Sequence, residues 1–199
     1  MPRNATSKGT SKSSRRSPRA SSKVSSHDAL HILADDHKKV LDMFDEFKEL
    51  RNSPDEDAMQ QLVETACAEL TIHAQVEEEI FYPAARDAID DMDMHDEAEV
   101  EHGIARQLIT ELAAMEPGDD LYEARFTVLG EYVTHHIDEE EKQLFPLLKK
   151  AGIDLNELGD EIQQRKLELR DELGVAPEEF EPEEDEDAAA NNRSRKNLH

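Results

Sequence analysis

The sequence predicts an all-α protein, an up-down four-helix bundle with an additional C-terminal amphipathic helix and disordered tails. The chain has 199 residues, lacks Trp and has only seven Gly, which favours long helices over a turn-rich β fold. Apolar residues make up 37% and charged residues 36%, as expected for helices with narrow apolar stripes. Apolar residues also recur every three or four positions along four long stretches.

The first two helices are predicted on either side of the breaking tripeptide at residues 52–54. The first begins near Ser26 or Asp28, both good N-caps. The second covers about residues 55–88, and Pro83 is expected to kink or distort it because proline lacks an N–H group. The apolar stripe of the first helix includes one histidine and consists of Leu30, Leu33, His37, Leu41 and Phe44.

The third and fourth long helices are predicted over about residues 92–115 and 119–150, separated by a Pro-Gly turn. Gly152 closes the fourth helix, and a shorter amphipathic helix follows it. The predicted organisation is a disordered basic arm at 1–26, the bundle at 27–151, an amphipathic helix packed on or extending the bundle at 152–174 and a disordered acidic tail at 175–199.

The charge is distributed unevenly. The chain carries 23 basic and 48 acidic residues; seven of the basic ones and none of the acidic ones lie in residues 1–26, so the remainder has a net charge of 16 − 48 = −32. Such a body repels nucleic acid and anionic lipid, so nucleic acid is expected to contact at most the basic arm, weakly.

The sequence predicts a cytoplasmic protein, because it has a lone Cys67, no apolar run of about 18 residues and no signal-like segment. A monomer is favoured.

Two segments carry the same pattern 63 residues apart, at 71–83 and 134–146. Thr, His, Glu, Glu and Pro recur in register. A His and a Glu four residues apart lie on one face of a helix, about one turn from each other. An imidazole and a carboxylate placed in this way can bind one metal ion, or bind one and bridge to a second.

Each long helix also has one histidine on its apolar stripe. A single histidine there is more often a hydrogen-bonded core residue than a ligand, but a carboxylate facing a core is costly unless it is paired or bound to metal. Two hairpins would bring four histidines and two glutamates around one cavity, as in sites with two carboxylate-bridged metal ions. Nitrogen and oxygen donors suit iron or manganese, and zinc stays open. The predicted metal ligands are His37, His73, Glu77, His102, His136 and Glu140.

The register of the fourth helix has to be chosen, since His135 and Glu139 also stand four apart. His73 and His136 both precede a proline by ten residues, so His136 is predicted to face inward and His135 to turn away from the inner face. Tyr132 is a candidate proton donor, with core packing as the alternative. The side chains expected around the ligands rather than on the metal are Tyr132, His135, Glu78 and Glu141.

Together these motifs resemble the hemerythrin HHE cation-binding family. The resemblance covers about residues 28–150 and rests on Asp36-His37, His73-x-x-x-Glu77, Glu101-His102, His136-x-x-x-Glu140 and the two Pro-terminated segments. It implies an up-down four-helix bundle with two iron ions bridged by oxo or hydroxo and carboxylate groups. In that reading the four stripe histidines are terminal ligands, and the two glutamates are bridges.

The departures from oxygen-carrying hemerythrins shape the expected function. Arg106 stands where those carriers have a further histidine, and Glu140 replaces an Asp bridge. The ligand set is more similar to that of di-iron proteins that repair iron–sulfur centres, but the cysteine-containing domain of those proteins is replaced here by the basic arm. We expect a protein that binds, senses or scavenges oxygen, nitric oxide, peroxide or iron. The alternatives are a di-iron enzyme (peroxidase, nitric oxide reduction or iron–sulfur centre repair) and a metal-free helical adaptor.

Overall fold

The computed structural model describes residues 28–52, 55–89 and 92–176, except the side chains of 92–94. The predicted basic arm and nearly all of the predicted acidic tail lie outside these residues. All the regular structure described is helical: α1 (Ala29–Leu50), α2 (Glu56–Val76), a π-helical segment (Glu77–Phe81), α3 (Tyr82–Ala88), α4 (Met92–Leu112), α5 (Tyr122–Glu139), a second π-helical segment (Glu140–Leu144), α6 (Phe145–Ala151) and α7 (Leu155–Leu173).

The helices form the predicted bundle. α1 packs against α2 and α4 against α5, while contacts between α1 and α5 and between α2 and α4 close the four-sided arrangement. α7 lies against α1 and α2 as a fifth element. The fold class predicted from the apolar periodicity is therefore confirmed. Among the described residues, no helix combines the length and apolar character needed to cross a bilayer.

The helix ends follow local chemistry, although α4 ends at Leu112, three residues before the predicted end, and the next helix begins later than predicted. Asp28 caps α1 by accepting a hydrogen bond from the His31 backbone N–H at 3.0 Å. The fourth long helix begins at Tyr122 rather than near residue 119, because the chain first passes through a turn in which Leu121 has a left-handed φ of 75°. Gly152, also with a φ of 75°, ends α6 as expected for a glycine C-cap.

Both prolines of the duplicated motif follow a π-helical segment. The Tyr82 backbone N–H donates to the Glu77 carbonyl, and the Phe145 N–H donates to the Glu140 carbonyl, so each bond spans five residues. Pro83 and the equivalent Pro146 come next, where the α-helical ladder would require an N–H that proline lacks. The wider turn is thus the local distortion that the sequence led us to expect. Each π-helical segment begins at a glutamate of the predicted metal site.

The core consists of two apolar clusters separated by a polar layer. Along α1, one cluster includes Leu33 and the other begins at Val40, with His37 between them. The first cluster also takes in the apolar face of α7, including Ile162 and Leu169. The polar layer that the two clusters enclose contains the predicted site.

Candidate metal centre

The structure brings all six predicted ligand residues together in the centre of the bundle. α1, α2, α4 and α5 each contribute one histidine, and the two π-helical segments contribute the glutamates. Their side chains are enclosed: exposure is 0% for Glu77, 4% for Glu140 and at most 7% for any of the four histidines. The helical spacing explains this, since His and Glu four apart point to the same side of one helix.

One half of the centre contains the histidines of the first hairpin. The Nε2 of His73 lies 3.0 Å from Oε1 of Glu77, four residues further along the chain. The Nε2 of His37 lies 3.3 Å from Oε2 of Glu140, which comes from the second hairpin. These four side chains place their donor atoms within 4.8 Å of one another.

The other half contains the histidines of the second hairpin. The Nε2 of His102 lies 3.4 Å from Oε2 of Glu77 and 3.1 Å from Nε2 of His136. The Nε2 of His136 is 3.8 Å from Oε2 of Glu140. Each carboxylate therefore faces one histidine from each half, which is the arrangement of a bridging ligand between two metal ions.

The donor atoms at the centre fit a metal pair. Five buried atoms make no hydrogen bond of acceptable geometry despite these short approaches: Nε2 of His37 and of His73, both oxygens of Glu77, and Oε2 of Glu140. Burying polar atoms without partners is costly, and metal coordination would satisfy all five. A set of imidazole and carboxylate donors without thiolate suits iron, manganese or zinc.

Two of the histidines are oriented by a carboxylate from the other hairpin, which contacts the ring nitrogen facing away from the centre. Nδ1 of His37 is 2.9 Å from Oε1 of Glu141, and Nδ1 of His102 is 2.9 Å from Oε1 of Glu78. An ionised carboxylate only accepts, so Nδ1 carries the proton in each ring and Nε2 presents its lone pair to the centre. Glu78 and Glu141 thus contact the His102 and His37 rings, and each directly follows an inward-facing glutamate.

Two further carboxylates orient the remaining histidines within their own hairpins. Nδ1 of His136 is 2.8 Å from Oε2 of Glu101, and Nδ1 of His73 is 3.4 Å from Oδ2 of Asp36. The apolar periodicity by itself does not indicate these contacts of Asp36 and Glu101. The usable signal was the repeated dipeptide, since an acidic residue immediately precedes the inward histidine in both α1 and α4.

The two halves differ in what holds these carboxylates. Lys166 of α7, only 3% exposed, places its Nζ 2.5 Å from Oδ1 of Asp36. In the other half, Glu101 faces His135 at 4.0 Å, and the His135 side chain is 65% exposed. His135 thus lies at the surface, on the outer side of Glu101. The half that contains His73 is connected through a buried chain of polar contacts to α7.

The electrostatics of the centre follow from these contacts. Burial alone would raise the pKa of Asp36, but the hydrogen bond from His73 and the charge of Lys166 lower it to about 2. Burial alone would lower the pKa of His73, but Glu77 and Asp36 raise it to about 10. In the same way, burial opposes ionisation of Glu140, but the surrounding histidines, His37 first, bring its pKa to about 2.

Tyr82 is the aromatic residue that reaches the centre. Its hydroxyl donates to Oε1 of Glu140 at 2.8 Å and lies 3.3 Å from Nε2 of His136. Burial, followed by the charges of Glu140 and Glu77, raises the pKa of Tyr82 well above its usual value. Tyr132, the proton donor considered from sequence, is 41% exposed instead.

A comparison of the duplicated segments would have indicated Tyr82. Phe145 occupies the equivalent position in the second copy, 63 residues later. The Phe145 ring stacks on His37, with centroids 5.9 Å apart and planes at 13°. The Tyr82 ring lies 5.6 Å from that of His102. The Tyr–Phe difference therefore places one hydroxyl in the half that contains His102 and His136.

A cavity of about 250 Å³ adjoins the four histidines. Tyr132 lies along its wall, and Arg106 lies at its exposed edge and forms an ion pair with Glu78. The Arg106 side chain is 51% exposed, and its guanidinium contacts Oε1 of Glu78, the same oxygen that lies 2.9 Å from Nδ1 of His102.

The chain belongs to the hemerythrin HHE cation-binding domain family, whose model matches residues 28–148. The protein is thus a hemerythrin-like, cation-binding helical bundle. A solved hemerythrin HHE cation-binding domain-containing protein from Mycobacterium kansasii has the same fold, with a TM-score of 0.62 and 23% identity over 73% of this chain and 89% of that one.

The chain is also similar to a longer protein that is described as a DNA nickase. A protein named DNA nickase from Nostoc sp. is 26% identical over 145 residues, which is 72% of this chain and 40% of the Nostoc protein. The chain therefore spans less than half the length of this relative.

Proposed function

We propose that the protein holds two iron ions between its helices and uses them to bind, sense or scavenge oxygen, nitric oxide or peroxide. The observation that supports this most directly is that Glu77 and Glu140 each face one histidine from each half of the centre. His37 and His73 would hold one ion, and His102 and His136 the other. An iron pair so bound supplies open coordination positions for a small molecule and redox capacity.

The protein residues would determine what the centre can do. The four outer carboxylates hold the ring protons on Nδ1 and so direct Nε2 inward. The Tyr82 hydroxyl, on a side chain that is 6% exposed, holds a proton 2.8 Å from Glu140. Arg106 carries only hydrogen-bond donors and is paired with Glu78, so it supplies no further nitrogen ligand on the His102 side, which leaves that half accessible to a small ligand.

Metal analysis of the full chain tests the proposal. After anaerobic loading we expect two irons per chain and near-ultraviolet charge-transfer absorption after oxidation. Glu77→Ala and Glu140→Ala should reduce the content to one iron or none, because each removes a bridge. Glu131→Ala, an exposed glutamate of α5, is the control and should retain both irons. If both bridge variants keep two irons and an unchanged spectrum, the bridging assignment is wrong, and a wild-type chain that takes up no metal would favour the adaptor alternative.

A reaction at the same centre is a second candidate, favoured by the position of Tyr82. A buried hydroxyl next to a bridging carboxylate is a suitable proton donor for peroxide or nitric oxide reduction. Steady-state turnover of hydrogen peroxide or nitric oxide by the iron-loaded protein distinguishes an enzyme from a protein that only binds its ligand.

DNA nicking is a third candidate and rests on the relative from Nostoc, of which this chain matches 40%. Two-metal carboxylate sites can cleave phosphodiesters, and the basic segment at 1–26 offers charge for a nucleic acid. The strongly acidic remainder opposes such binding. A supercoiled-plasmid relaxation assay with the iron- and manganese-loaded chain, and with Glu77→Ala as control, tests this candidate. Relaxation by the wild type but not by the variant would support nicking, and no relaxation would reject it.

A further inference from the structure

The cavity beside the metal centre is an internal space with a defined wall. α2 contributes Leu70 and Ala74 to it, and α4 contributes Ala105 and Ile109. All four centre histidines line it, as do Gln75, Glu78 and Arg106 nearer the surface. The cavity therefore runs from the protein surface to the donor atoms of the proposed centre.

Its size exceeds the needs of a diatomic ligand. The volume is about 250 Å³, whereas a water molecule occupies ~30 Å³ of liquid, so the cavity corresponds to roughly eight waters. A molecule of oxygen or nitric oxide would leave most of it unfilled. The space arises partly because Ala74 and Ala105 present only methyl groups on the facing helices.

The wall selects an apolar molecule. Beyond the histidines, half of the lining residues are aliphatic, among them Val40, Val133 and Ile137, and the charged ones Glu78, Glu79 and Arg106 are exposed. Cavities with apolar walls and a few polar groups at one end are typical of sites for small organic ligands. The polar end is where the histidines lie, so an oxygen function of such a ligand would point there.

The charges at the opening of the cavity disfavour the entry of an anion. Glu78, Glu79 and Glu101 line it, and Arg106 contributes the only Lys or Arg side chain among the lining residues. The guanidinium of Arg106 is already paired with Glu78, and Glu79 is held by Arg165 of α7 at 2.7 Å. A carboxylate-bearing ligand would meet like charge at the opening, whereas a neutral molecule would not.

We propose that this cavity binds a neutral organic molecule of about eight to ten non-hydrogen atoms, mostly apolar and with one oxygen function, such as an organic hydroperoxide or its alcohol. The proposal rests on the proposed function only in that the oxygen end lies at the metal centre. It extends the peroxide class of ligand to those with an organic group, and the cavity itself is formed by the protein.

The test uses cumyl alcohol as a redox-inert neutral probe and phenylacetate as an anionic aromatic with the same number of non-hydrogen atoms. The alcohol is titrated into the full chain, iron-loaded and metal-free, and phenylacetate into the metal-free chain, where no iron can coordinate its carboxylate; binding is followed by calorimetry and saturation-transfer NMR. We expect saturable binding of the alcohol to both forms and, for phenylacetate, binding weaker by about tenfold or more. Equal affinity for the two probes, or no binding of the alcohol to either form, would overturn the proposal.

Variants locate the binding in the cavity. Ala105→Leu should weaken alcohol binding about tenfold, because the added carbons occupy the space. Ala124→Leu adds the same atoms at an exposed position of α5 and should leave it unchanged. An Ala105→Leu protein that binds as wild type would refute the location. If that variant does not fold, Ala74→Leu replaces it. Intermolecular NOEs between the probe and the Ala74 and Ala105 methyl groups of the wild type test the location independently.

The outcome for the cavity is separable from that for the metal centre. Alcohol binding by a chain that takes up no iron would support the cavity and reject the proposed function. Two irons per chain without alcohol binding would support the proposed function and reject the cavity.

Discussion

The buried contact between α7 and the metal centre gives the sharpest prediction. Lys166 is 3% exposed and its Nζ lies 2.5 Å from Oδ1 of Asp36, whose other oxygen faces His73 at 3.4 Å. Lys166→Met keeps a chain of similar length but removes the charge. We expect this variant to unfold more easily and to hold metal less well, because Asp36 loses the closer of its two partners.

The size of the effect follows from the surroundings of Asp36. Its pKa is about 2 rather than 3.8, a difference that corresponds to about 2 kcal/mol of stability at neutral pH. Removing one member of a buried ion pair costs about 3–5 kcal/mol. Since Asp36 keeps His73, we expect a loss between the pKa-based value and the bottom of that range, about 2–3 kcal/mol.

Urea unfolding of the metal-free chain at pH 7 measures this loss. Lys142→Met is the matched control: Lys142 is 68% exposed and 2.7 Å from Asp138, and its loss should cost less than about 1 kcal/mol. The depressed pKa of Asp36 also fixes the sign of the pH dependence. Its contribution to stability is present above pH 3.8 and is lost as the pH falls towards about 2.

A second measurement separates positioning from stability. If Lys166 holds Asp36, and through it the His73 ring, Lys166→Met should weaken retention of one iron more than the other under a chelator, while Lys142→Met releases both as the wild type does. An unfolding free energy within about 1 kcal/mol of the control, together with unchanged iron release, would refute the reasoning.

Three further predictions concern the centre itself. His136→Ala should abolish loading of one metal, while His135→Ala should leave loading nearly unchanged, since only His136 is buried. The metal content of the two variants checks this, and the reverse ranking would refute the assignment of His136 as the inward-facing histidine. Tyr82→Phe should retain both metals yet slow peroxide or nitric oxide turnover by about 10–100-fold if its hydroxyl donates the proton; unchanged rates in stopped-flow mixing would exclude that role. Because the pKa of His73 is raised to about 10, this ring is protonated at neutral pH, so metal uptake should release a proton and apparent affinity should rise with pH; dye-detected release near zero would contradict this.

Local periodicity in the sequence predicted the fold and the inward-facing residues. A stripe at three and four residues marks the buried face of a helix, and a His and a Glu four apart must share it. The proline of each duplicated segment settled the register, so His136 rather than His135 was expected inside, which is where the structure places it. These features depend on geometry within one helix, which is the same wherever that helix packs.

Contacts between helices required the tertiary structure. Lys166 and Asp36 are 130 residues apart, and Lys166 interrupts an apolar face that periodicity alone would describe as ordinary packing. Tyr82 rather than Tyr132 reaches the centre because the π-helical turn at Glu77–Phe81 changes the direction of the residues that follow it. Which partner a side chain meets across a bundle depends on the docking of helices distant in sequence, and a pattern along one helix does not record it.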